Sequence, residues 1–167
     1  MNENMVGAFA EHPEILAAWQ QLNGGLKARM DLRRYELATL AAALRLRSSY
    51  CSLAHGSVLA QDFDGPDVVQ AIVADHHAAG LDEVDVAIMD FAEQVAADAT
   101  TVTEADRDRL RGLGLSDAEI FDVALAAGAR AFLTKSLEAM GVRPDGSYAE
   151  LDPPLRDALT VGLPIAD

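Results

Sequence analysis

Apolar positions recur along this chain at three- and four-residue spacing almost from end to end, a period that predicts helices. His12-Pro13-Glu14 opens one, with proline at its first position, and Asn23-Gly24-Gly25 predicts its end after Leu22. A second is expected over about Asp31 to Arg47, with Leu37, Leu40 and Leu44 on one face. A third covers about Tyr50 to Gln61 and stops at Asp62-Phe63-Asp64-Gly65-Pro66. Val69, Ile72 and Val73 mark a short helix closing near His77, with Gly80 as its stop. Val84, Ile88, Phe91 and Val95 follow as an amphipathic stripe. Thr103-Glu104-Ala105-Asp106 reads as a helix start, and Ser116-Asp117-Ala118-Glu119 matches a capping box. The helix after Ser116 carries two apolar rows: Phe121, Leu125, Gly128 and Phe132, then Ile120, Ala124, Ala127 and Ala131. Such breadth predicts cover on two sides.

No alternating apolar run reads as a strand. The fold class is therefore all-α, with six or seven helices in a single domain over residues 1–167. The proline-punctuated tail, LDPPLRDALTVGLPIAD, reads as an extended segment lying over the surface or a neighbouring subunit.

Composition narrows the partners. Half of the residues are hydrophobic, and 27 acidic side chains against 13 basic ones give a net charge of −14. That argues against nucleic acid or an anionic membrane, which both need a positive face. One cysteine excludes an internal disulfide framework and a Cys-only metal site. The start has no basic n-region, and no apolar stretch approaches the roughly 20 residues of a bilayer span. A soluble cytoplasmic protein is expected. Asp75-His76-His77 offers metal-ligand residue types, but adjacent helical residues point about 100° apart, so no metal site is predicted there. No bound cofactor is predicted either.

One segment combines reactive side chains at helical spacing: Ser48-Ser49-Tyr50-Cys51-Ser52-Leu53-Ala54-His55. A helix starting near Ser49 puts Cys51 in its first turn, where the backbone N–H groups and the dipole favour a thiolate. His55, four residues on, shares that face and can reach the sulfur directly or through one water. Glu36 lies upstream, about 18 Å from Ser48 along an unbroken helix. It meets His55 only where the chain folds back. The residues alone leave other readings open: Cys51 as an inert buried filler, His55 as a satisfied core residue, Glu36 as a solvated partner of Arg33 or Arg34.

Glu36, then Ser48-x-x-Cys51-x-x-x-His55, resembles the signature of the carboxymuconolactone decarboxylase superfamily, in particular its alkylhydroperoxidase D-like, peroxidase-related branch. That branch carries Glu…Cys-x-x-Cys-x-x-x-His. The stretches LRRYELATLAAALRLRSSYCSLAHGSVLA, AAGLDEVDVAIMDFAEQVA and VTEADRDRLRGLGLSDAEIFDVALAAGARAFLTKSLEAMGV extend the likeness over roughly residues 12–143. The resemblance implies an all-helical subunit in trimers or hexamers, with Cys51 as the second motif cysteine, His55 the proton-relay histidine and Glu36 the relay acid. It implies hydroperoxide reduction supported by a thiol reductant. Ser48 stands where the first cysteine belongs and cannot form a disulfide, so the two-thiol cycle cannot run inside this chain. Cys51 acting alone through a sulfenic acid resolved by an external thiol is one outcome. Others are lyase chemistry on a small carboxylated lactone, with Arg33, Arg34, Arg45 and Arg47 as the nearby cations, and a non-catalytic oligomeric module. Thr134-Lys135 replaces the Asn-Arg pair expected of close relatives, with Lys135 keeping the charge.

Overall fold

A computed structural model describes residues 3–167. Among them are nine α-helices and no strand. They are α1 (Glu3–Ala8), α2 (Pro13–Arg29), α3 (Leu32–Arg45), α4 (Ser49–Asp62), α5 (Pro66–Asp75), α6 (Glu83–Asp98), α7 (Glu104–Gly112), α8 (Asp117–Ala139) and α9 (Pro153–Leu159). None is long and apolar enough to cross a membrane.

The centre is α3. Every residue from Tyr35 to Ala43 is buried, and the helix packs against α4, α6 and α8. A helix apolar nearly all round belongs inside, and its four alanines at 38 and 41–43 let neighbours approach closely. Leu37, Leu40, Leu53, Ile88, Met89 and Leu110 form the main core around it.

The chain reverses between α3 and α4 by a Schellman motif. Ser48 N donates to Ala43 O at 3.0 Å and Arg47 N to Leu44 O at 3.0 Å, with Arg47 in the left-handed region at φ 55°. Ser48 is at once the last residue of that motif and the N-cap of α4, its Oγ accepting from Cys51 N. The reversal lays α4 antiparallel along α3.

Two expectations change here. The predicted stop at Asn23-Gly24-Gly25 does not occur: α2 runs through to Arg29. Neither glycine has positive φ, so each costs only helix propensity, roughly 1 kcal/mol. Buried Trp19 and Leu26 on either side of them offset that cost. The tail is not an extended strap. It contains α9, which packs on α5 and α4, with Leu155 and Leu159 buried in the main core. The Leu159 carbonyl accepts from Ser52 Oγ, and Gly162 N donates to Ser49 Oγ at 2.7 Å. Gly162 passes so close to the Arg47 carbonyl that a Cβ would lie 2.1 Å from it.

The long helix α8 is covered on one row only. Ile120 and Ala127 are buried, whereas Phe121, Leu125 and Phe132 remain exposed, so the Phe121 row is left largely uncovered by the described residues.

Because Leu159 is fully buried, Leu159→Ala is expected to cost about 2–5 kcal/mol, read as a lowered urea midpoint with the same slope. An unchanged midpoint would show that the tail contributes nothing to the core.

Candidate active site

The α3–α4 hairpin brings Glu36 and His55 together. Glu36 is 2% exposed, and its Oε2 contacts Nδ1 of His55. Its other oxygen accepts from Lys27 Nζ at 2.9 Å. Lys27 stands in the last turn of α2, beyond the glycine pair, so the continued helix supplies it. Arg33 and Arg34 do not partner Glu36: both bind the buried Asp85, and Arg33 also binds Asp64.

Burial by itself would raise the Glu36 carboxyl, but hydrogen bonds from His55 and Lys27 outweigh it and hold the group below the ordinary carboxylate value. At His55 burial wins, helped by the positive charge of Arg130, and lowers the imidazole to about 4 in spite of Glu36. At neutral pH the pair is thus a carboxylate and a neutral imidazole. An ionised carboxylate only accepts, so the ring proton sits on Nδ1 and Nε2 keeps its lone pair.

Cys51 lies in the first turn of α4, 1% exposed. Met5, Phe9, Trp19 and Leu137 pack around it. Its sulfur accepts from Thr134 Oγ1 at 3.3 Å and lies 4.0 Å from Arg130 Nη1. These are its only side-chain hydrogen-bond contacts among the described residues, so the sulfur does not bond His55 directly. Both residues line one cavity of about 250 Å³, together with Glu36, Lys27, Asn23 and Arg130. Trp19, Tyr50, Leu133 and Tyr148 also line it. Ser48 is fully buried behind Cys51 and does not line the cavity; its oxygen caps α4 and stands beside the Glu138 carboxyl.

The cations of this cavity are not the arginines near the motif. Arg45 and Arg47 do not line it, and Lys135 is exposed on α8. The cation beside the sulfur is Arg130, one turn before Thr134 on α8 and 4% exposed. Its Nη2 donates to Tyr35 Oη at 3.0 Å and to Asn23 Oδ1 at 3.3 Å, and the guanidinium stacks over Trp19, 5.3 Å from the ring centroid. The single sequence cue to Arg130 is that it is the one charged residue in the run from Val123 to Thr134. Burial keeps three phenols around the site protonated: Tyr35 and Tyr50 are raised, and Tyr148 is pushed up to about 12.

His76 and His77 also differ from expectation. They lie just past the end of α5, and their Nε2 atoms both reach Asp90 Oδ1, at 2.8 and 2.9 Å, while Arg109 takes Oδ2 at 2.9 Å. The 100° divergence of a helix no longer applies once the chain has left it.

The sequence matches no family model and no curated protein. Solved structures do match. An alkylhydroperoxidase AhpD core, a peroxidase-related protein from Ralstonia eutropha, aligns at 23% identity and TM-score 0.80, over 87% of this chain and 78% of that one. A peroxidase-related protein from Silicibacter aligns at 24% identity and TM-score 0.81, with the same coverage of 87% and 78%. The debrominase Bmp8, in complex with 2,3,4-tribromopyrrole, aligns at 14% identity and TM-score 0.72, over 93% and 86%. The all-α fold is that of the alkylhydroperoxidase D-like proteins.

Protons bind His55 more weakly in the folded chain than in the unfolded one. Folding stability should therefore fall as pH drops from about 6.5 toward about 4, by up to about 3 kcal/mol. Glu36, held low, adds to the loss in the same direction as pH falls further. Urea titrations from pH 8 to pH 4 should show this slope, and His55→Gln should flatten its upper part.

Proposed function

We propose that this chain is a single-thiol peroxidase of the alkylhydroperoxidase D-like type, working on a small hydroperoxide with an external thiol as reductant. The observation that carries this is the sharing of one small cavity by Cys51, the Glu36–His55 pair and Arg130.

Neutral His55, through Nε2 and one bridging water, takes the proton of Cys51, and Glu36 stabilises the imidazolium that forms. Arg130 and the Thr134 hydroxyl stabilise the thiolate. The thiolate attacks the distal peroxide oxygen. The S–O bond forms as O–O breaks, and the alkoxide leaves with the proton held by His55. The products are an alcohol and Cys51 sulfenic acid. With serine at position 48 no second thiol is at hand, so the sulfenic acid condenses with an external thiol, releasing water. A second thiol then restores Cys51 and leaves as the disulfide.

Ser48 positions Cys51 by capping its helix. The row Phe121, Leu125 and Phe132 supports assembly into a homo-oligomer, a trimer or hexamer, and the acidic composition fits a cytoplasmic protein.

The lyase reading gains from Arg130 and Lys27, which supply the cations a carboxylated lactone needs. The debrominase on the same fold means that the fold by itself does not select peroxide. Variants decide. Cys51→Ser should abolish peroxide turnover, and His55→Gln should lower kcat/KM by about 10²–10⁴. Glu36→Gln should lower it less, since Nε2 survives. Lactone turnover retained by Cys51→Ser, with no peroxide consumed by the wild type, would replace the peroxidase reading with the lyase one.

A further inference from the structure

Arg130 is a buried cation with no carboxylate bonded to it among the described residues. Guanidinium cannot lose its proton in a protein, and an uncompensated charge taken out of water costs several kcal/mol. Its partners among the described residues are all neutral as placed: the Asn23 amide oxygen, the Tyr35 hydroxyl, the Trp19 face and, at 4.0 Å, the Cys51 sulfur. Among the described residues no carboxylate bonds it, and its Nε, fully buried, has no hydrogen-bond partner. The single acid lining the cavity, Glu36, is already committed on both oxygens, to His55 and Lys27. With His55 neutral, the lining carries Lys27 and Arg130 against Glu36, a net of one positive charge (2 − 1) in a chain whose total is −14. Inside the pocket that sign favours a small anion over a neutral molecule, against the long-range repulsion of so acidic a chain.

From this we infer that the substrate enters as an anion, its carboxylate bound by Arg130 with its reacting end at Cys51. This inference rests on the reading of Cys51 as the reacting thiol and adds the class of molecule it meets: a small organic hydroperoxide bearing a carboxylate. Arg130 lines the cavity, and its Nη1, 4.0 Å from the Cys51 sulfur, can donate a charge-assisted hydrogen bond to a carboxylate there. At about 250 Å³ the cavity falls below the ~300–1,000 Å³ of drug-sized sites, which restricts the carbon skeleton to a small one. The apolar wall of Met5, Trp19 and Leu133 accommodates that skeleton.

Two alkylating agents that differ in charge test this at the only cysteine. Iodoacetate carries the carboxylate and iodoacetamide does not, and mass spectrometry of Cys51 gives both rates. The ratio of iodoacetate to iodoacetamide rates should be about tenfold or more above that of the same chain unfolded in urea. In Arg130→Gln, shown to be folded by circular dichroism, it should fall to the unfolded value. The wild-type measurement stands even where that variant fails to fold, and Lys27→Gln, at a half-exposed position, should lower the ratio partway. A ratio in the folded wild type no higher than in urea would overturn the inference and leave Arg130 as a partner of the thiolate alone. In turnover, a carboxylated hydroperoxide should exceed its methyl ester about tenfold in kcat/KM, and equal values would again overturn it. Should neither be consumed, the peroxidase reading fails, while the alkylation ratio still decides whether the cavity binds anions.

Discussion

A carboxylate at the middle of an apolar helix must find donors or lose its charge, and the placement of Glu36 sets much of the remaining structure. Two donors reach it from different elements. His55 arrives because the Schellman turn at Leu46–Ser48 folds α4 back along α3, and Lys27 arrives because α2 continues through Gly24-Gly25. The Arg47 conformation behind that turn has its own support in the tail, where Gly162 packs directly on the Arg47 carbonyl. A residue near the C-terminus and a helix near the N-terminus thus hold the same ionised group.

The electrostatics of the cavity follow from that arrangement. Glu36 engages one cation and one imidazole, so Arg130 has no carboxylate partner among the described residues, while burial and the charge of Arg130 keep His55 neutral in spite of Glu36. The imidazole is then a base with its lone pair on Nε2, and the guanidinium lies beside the sulfur. Both groups are buried, so bulk solvent screens them little. The group proposed to react is the least conspicuous of the set: Cys51 is packed like a core residue on one side and borders the cavity on the other.

The helical period and the capping residues made most of the fold legible. The stripe of Val84, Ile88, Phe91 and Val95 and the capping box at Ser116 correspond to α6 and α8. Two expectations fail for one reason, that burial overrides the local signal of Gly and Pro: Gly24-Gly25, expected to end a helix, lies inside α2, and Pro153-Pro154, in a tail expected to be extended, opens α9. The site was half legible. Glu36, Cys51 and His55 stand within twenty residues of one another and show as a spacing. Lys27 was hidden behind the false helix stop. Arg130 comes from a helix remote in sequence, and only tertiary packing brings it to Cys51. The convergence of His76 and His77 on Asp90 was likewise missed because it depends on where α5 ends.

The proposed chemistry depends on the state of His55, and nitrogen-15 NMR of the imidazole reads it directly. At pH 7 the expected signal is a neutral ring with its proton on Nδ1 and a bare Nε2, persisting down to about pH 5. A doubly protonated ring at pH 7, or a neutral ring with the proton on Nε2, would contradict the assignment of His55 as the base that Glu36 orients.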